Sequence, residues 1–150
     1  MTVPTESDWG DYQSDLDAKC AHDLFGGRTN EEMQAHFRLN PIERTSELRF
    51  MPTVPFRYYV LGFRDFIMRK EFDFLSASDA ASCFLSLVLD KLERQPQDII
   101  PVMPDLLPAL KYVAENQTEF DAEESIYGDF RETLRKIQSL NAATAPENEG

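Results

Sequence analysis

The chain has 150 residues, enough for one domain with a substantial core, and its 42% hydrophobic and 11% aromatic content excludes a wholly disordered polymer. Twenty-seven acids oppose fifteen bases, giving a net charge of −12. That balance disfavours nonspecific binding to nucleic acid or anionic membranes, which are themselves polyanions, and it suits a basic protein partner.

The charge is uneven. Residues 1–32 carry eight acids against Lys19 and Arg28, and residues 115–150 carry nine against Arg131, Arg135 and Lys136. Ten acids and ten bases cancel in between. No apolar run reaches membrane-span length, because Arg64 and Asp65 interrupt the most apolar stretch. The acidic start MTVPTESDWG lacks the apolar segment of a secretory signal. Cys20 and Cys83 are too few for a disulfide framework. The expected setting is reducing and cytoplasmic.

Residues 1–7 read as loosely ordered. From Asp8 to Leu24, Tyr12, Leu16, Cys20 and Leu24 recur at helical spacing as an apolar stripe, and Gly26-Gly27 ends the helix. Thr29 to Glu32 matches a capping box and predicts a helix to about Arg38. Asn40-Pro41 starts another, with Ile42, Thr45 and Leu48 or Arg49 facing inward.

Phe50 to Lys70, FMPTVPFRYYVLGFRDFIMRK, is the densest apolar segment. Thr53 is its expected cap and Pro55 sits in its first turn. Arg57, Arg64 and Asp65 fall on one narrow strip of an otherwise apolar helix, which therefore reads as central and buried. Ser76, boxed with Asp79, should open the next helix, whose face is Ala77, Ala80, Ala81, Phe84, Leu85, Val88 and Leu92; Pro96 stops it. Gln97 to Met103 reads as a short extended segment. A helix then starts near Pro104 or Asp105. A last one, capped by Asp121 with Glu124, carries Ile126, Phe130, Leu134 and Ile137 inward. The prediction is an all-α fold: a single domain over 1–140, built as a bundle of six to seven helices around a central buried helix. Residues 141–150 form a disordered tail.

Signatures of chemistry are sparse. No Gly-rich phosphate loop, GxSxG, HExxH or zinc-ribbon spacing is present. Cys20 and His22 lie two apart, on opposite sides of a helix, so the imidazole is out of reach of the thiol. Glu32 and His36 share a helix face, but no spacing supplies further ligands, so neither a metal nor a cofactor is expected. Arg57, Tyr58, Tyr59 and Arg64 are the candidate ligand-binding residues, suited to an anionic or aromatic small molecule. Asp11, Asp15, Glu123 and Glu124 are the candidate partner-binding residues.

The stretch LRFMPTVPFRYYVLGF, Leu48 to Phe63, resembles a motif of small bacterial all-helical proteins in which Leu-x-Phe-Met precedes Phe-Arg-Tyr-Tyr-Leu-Pro-x-Phe. Phe56-Arg57-Tyr58-Tyr59 and Phe63 match, while Val60 and Leu61 replace the Leu and Pro. The resemblance implies an all-α bacterial domain and carries no activity. The resulting expectation is a non-enzymatic acidic interaction module, in one form an immunity or inhibitor protein that binds a basic partner. The alternatives are a small-molecule-binding domain or small enzyme with a pocket near Arg57, Tyr58 and Arg64, and a homo-oligomeric structural protein.

Overall fold

A computed structural model describes residues 1–73 and 75–144. Among the described residues the chain is all-helical, with no strand. Its helices are α1 (Leu16–Phe25), α2 (Asn30–Leu39), α3 (Pro41–Arg49), α4 (Thr53–Arg69), α5 (Ala77–Arg94), α6 (Pro96–Ile99), α7 (Met103–Glu115), α8 (Glu124–Tyr127) and α9 (Phe130–Thr144). Short 3-10 turns occupy Glu6–Trp9, Tyr12–Ser14, Ile100–Val102 and Gln117–Phe120. No helix among the described residues is long and apolar enough to cross a membrane.

The caps explain most boundaries. The Thr29 hydroxyl accepts from the Glu32 N–H while the Glu32 carboxylate accepts from the Thr29 N–H, the reciprocal box its spacing predicts. The Asn40 side chain caps α3, and Pro41 fills its first position. Gly26 closes α1, and Gly27 takes φ +77, a left-handed conformation available to glycine.

Helix α4 buries Pro55, Phe56, Tyr58, Tyr59, Val60, Gly62, Phe63, Phe66 and Ile67. Phe25, Phe37, Phe63, Phe66, Phe72 and Phe120 form a chain of rings at centroid spacings of 5.2–6.0 Å, linking α1, α2 and α4 to the carboxy-terminal part. Helices α2 and α4 approach closely at Gly62. There the Gln34 amide donates to the Gly62 carbonyl at 3.1 Å, and the Asn30 amide donates to the Tyr58 carbonyl at 2.9 Å. A Cβ at residue 62 would sit 2.1 Å from Asn30 Oδ1. Helix α5 packs against α3 and α9, and α9 against α7.

Several local expectations are corrected. The Tyr12–Leu16–Cys20–Leu24 stripe is not the inner face: Leu16 is 75% exposed and Cys20 is exposed. The helix starts only at Leu16, capped by Asp15, so Tyr12 is out of its register and Ala18, Ala21 and Phe25 face inward. Within residues 1–7, Pro4 is buried and Thr5 forms a capping box with Asp8. Thr53 does not cap α4; Pro52 holds that position and the Thr53 hydroxyl donates to Asp98 instead. Ser76 makes no side-chain cap, and Asp79 accepts from Tyr127 rather than closing a box.

Ile42 is 54% exposed, while Thr45 and Leu48 are buried as expected. Gln97 to Met103 is not extended: α6 and a 3-10 turn carry it, since Pro96 and Pro101 each suit a first helical turn. Asp121 is the left-handed residue that ends the Gln117–Phe120 turn, and at the start of α9 the Phe130 N–H donates to the Gln117 side chain and the Arg131 N–H to the Asp129 carboxylate. Ile126 therefore falls on the separate four-residue α8 and is 70% exposed. Helix α9 continues through Thr144, into the segment expected as a tail; residues 145–150 lie outside the described residues.

Candidate functional site

The four candidate ligand residues of α4 brace neighbouring elements. Arg57 donates to the Gln97 and Asp98 carbonyls of α6 at 2.7 and 2.9 Å. Arg64 forks onto Asp65 and donates to the Asp105 carbonyl of α7. The Tyr58 hydroxyl accepts from the Asn30 N–H at 3.1 Å. Tyr59 is fully buried, its O–H shared between the Phe25 and Arg28 carbonyls, and burial pushes its phenol far above the ordinary value. None of these side chains lines any of four surface grooves of about 430–630 Å³ found among the described residues.

The amino-terminal acids sit on an anchored strap. Trp9, 1% exposed, packs edge-on against His22 at 5.2 Å and tilted against Tyr59 at 6.3 Å. The His22 ring stacks on Tyr12 at 3.7 Å and its Nε2 meets Glu6 at 2.9 Å. Asp11 accepts from the Ser14 hydroxyl, and Asp15 caps α1 through the Asp17 N–H. Hydrogen bonding by His22, then by Tyr12, holds the Glu6 carboxyl below its ordinary value of 4.5.

A carboxyl depressed by folding contributes stability above its unfolded pKa, and the contribution is lost as pH falls through the depressed value. Trp9 is the only tryptophan. Its emission should therefore shift red in acid before helical circular dichroism is lost, and Glu6→Ala should remove that early step. Simultaneous loss of both signals in the wild type would show that Glu6 does not hold the strap.

Next to this strap lies a groove of about 630 Å³ lined by Asp15, Arg49, Phe50, Met51, Asp90, Arg94 and Gln95. Asp90 accepts from Arg49 at 3.1 Å and forms an ion pair with the exposed Arg94 at 2.7 Å, so one carboxylate faces two guanidiniums. Phe50 is 48% exposed. Beneath the groove, Gln95 Oε1 accepts from Lys91 at 2.8 Å. Lys91 is 1% exposed, 3.4 Å from Asp98 and 4.5 Å from the Phe56 ring centre. Asp98 in turn accepts from Thr53 at 2.7 Å. Desolvation pushes the Lys91 ammonium below its ordinary pKa, and Asp98 opposes that shift.

The carboxy-terminal acids lie elsewhere. Glu123 and Glu124 are exposed at the start of α8, whose Tyr127 donates to Asp79 and accepts from the Ser78 hydroxyl at the first turn of α5. Asp15, by contrast, shares its groove with Arg94 and Gln95 at the last turn of α5. Asp15 and the Glu123–Glu124 pair are therefore separated by most of α5, roughly 22 Å at 1.5 Å per residue.

Neither histidine stands beside a reactive partner. His22 is held by Glu6, Cys20 is exposed, and Glu32 is committed to its cap, away from any pairing with His36. Burial pushes the half-buried Cys83 thiol above its ordinary value, which suppresses the reactive thiolate. Among the described residues no group of three His, Cys, Asp or Glu side chains is placed to hold a metal ion. No protein-family model, curated protein or solved structure matches the chain.

The Arg49–Asp90–Arg94 cluster escaped sequence reasoning because Arg49 and Asp90 are 41 positions apart. Lys91 carried a readable signal. It falls three residues after Val88 on the apolar face of α5, where a cation needs a buried partner.

Proposed function

We propose that the chain is a non-enzymatic acidic interaction module, a single helical domain arranged around α4, that binds a basic protein partner in a cytoplasmic setting. An immunity or inhibitor role is its specific form. The observation that carries this reading is the anchoring of the amino-terminal acids. Asp8, Asp11 and Asp15 are held by caps and side-chain bonds on a strap pinned by buried Trp9, so their charge is preorganised for a partner. Fixed charge of one sign accelerates encounter with the opposite sign and does so less at high salt.

The test is kinetic. A basic protein recovered from the native host in one-to-one ratio should associate at least about tenfold faster at ~0.05 M than at ~0.5 M salt. Equal rates at both salts would remove the electrostatic basis of the reading.

A further inference from the structure

We infer that the amino-terminal strap, residues 4–12, is a latch whose hold on the helical body is set by the charge of His22: closed while the ring is an imidazolium, loosened when it is neutral. The inference stands on the geometry around His22 and is independent of which partner the chain binds.

The imidazole is where the strap meets α1. Its side chain is 18% exposed. Trp9 packs edge-on to it at 5.2 Å and Tyr12 stacks on it at 3.7 Å, so both aromatic anchors of the strap rest on one ring. Two carboxylates face it. Glu6 of the strap lies 2.9 Å from Nε2, and Asp23 of α1 places Oδ1 3.6 Å from Nδ1. Lys19 holds the other Asp23 oxygen at 2.9 Å. From α4 the neighbour is the phenol of Tyr59, behind Trp9 at 6.3 Å.

The two charge states of the ring fill this site differently. An ionised carboxylate only accepts, so Nε2 carries the proton that points to Glu6. In the neutral ring Nδ1 is then a bare lone pair, buried without a donor and turned towards the negative Asp23. In the imidazolium Nδ1 carries a proton, and the same contact becomes attractive. The indole N–H of Trp9 is also buried without an acceptor, and opening the strap would return it to water. The latch therefore closes against a desolvation cost at Trp9 and, when His22 is neutral, a second one at Nδ1. Deprotonation of His22 loosens it from the alkaline side, and protonation of Glu6 loosens it from the acid side.

Because Trp9 is the only tryptophan, acrylamide quenching reports on the strap. The bimolecular quenching constant of the full chain should be about two- to threefold lower at about pH 5.5 than at about pH 8.5, on either side of ordinary imidazole titration, with helical circular dichroism unchanged. His22→Phe keeps a ring between Tyr12 and Trp9 and removes both nitrogens, so its constant should be the same at both pH values. Glu6→Gln, at an exposed site, leaves an acceptor for Nε2 without the charge and should shrink the step. Equal constants at the two pH values in the wild type, a step that survives in His22→Phe, or an undiminished step in Glu6→Gln would overturn the latch.

Discussion

Asp98→Ala should destabilise the chain by about 3–5 kcal/mol, because it strands the Lys91 ammonium in the core without its counter-charge. Lys91 is 1% exposed and Asp98 4%. Its other contacts, the Gln95 amide oxygen and the Phe56 ring, are neutral and compensate only part of the desolvation. The same substitution frees the Thr53 hydroxyl, so α4, α5 and α6 lose a shared polar tie. Replacing both members of the pair, as Lys91→Met with Asp98→Leu, should cost far less than either single change, since no buried charge then remains. Chemical denaturation measures all three variants, and additive losses would show that the pair is not coupled.

The pH dependence has a definite sign. Burial lowers the folded pKa of Lys91, so the folded state binds fewer protons than the unfolded chain between that value and the ordinary one of 10.5. Stability therefore rises with pH across that window. Without Asp98 the attraction that props the pKa up is gone and the window widens. The deficit of Asp98→Ala should accordingly shrink as pH rises from neutrality towards 10.5; a deficit that grows with pH would contradict the assignment.

Gly62→Ala should lower stability even though alanine is the better helix former. The propensity gain is about 1 kcal/mol, whereas overpacking a close contact costs about 1–3 kcal/mol and adds the loss of neighbouring hydrogen bonds. The new Cβ would meet Asn30 not only at Oδ1, 2.1 Å away, but also at Cγ and Cβ, 2.4 and 2.9 Å away. Asn30 cannot yield cheaply, since its backbone and side-chain amides are both committed to Tyr58. The melting temperature should fall by several degrees. In an Asn30→Gly background, which removes all three of these atoms, the same glycine substitution should be nearly neutral or stabilising. A rise in melting temperature for Gly62→Ala alone would mean that α2 shifts away without loss.

Where periodicity and caps agreed, the fold was legible in the sequence. The Thr29–Glu32 box, the Asn40-Pro41 start and the apolar face of α5 all follow from local chemistry, and the helical class follows from them. Errors arose where a local signal had two solutions. Asp15 and Asp129 out-compete the earlier starts near Asp8 and Asp121, and each shift by a few positions rotates the inner face, exposing Leu16 and Ile126. The candidate site was less legible. Arg57 and Arg64 stood out as charges on an apolar helix, and they serve α6 and α7. Asp15 was visible as one acid among many; its neighbours Arg49, Phe50, Asp90 and Arg94 come from α3 and α5 and meet only through tertiary packing.

Glu31 and Glu119, one from each acidic segment, pair with the adjacent Arg69 and Lys70, whereas Asp15 and the Glu123–Glu124 pair lie at opposite ends of α5 and form two separate negative poles. Their separation of roughly 22 Å exceeds two Debye lengths at physiological salt, so neither pole feels the other. Such a molecule has little reason to orient as a whole in the field of a basic surface. Each pole engages as an independent electrostatic unit, and charge reversals made at the two ends should add without coupling.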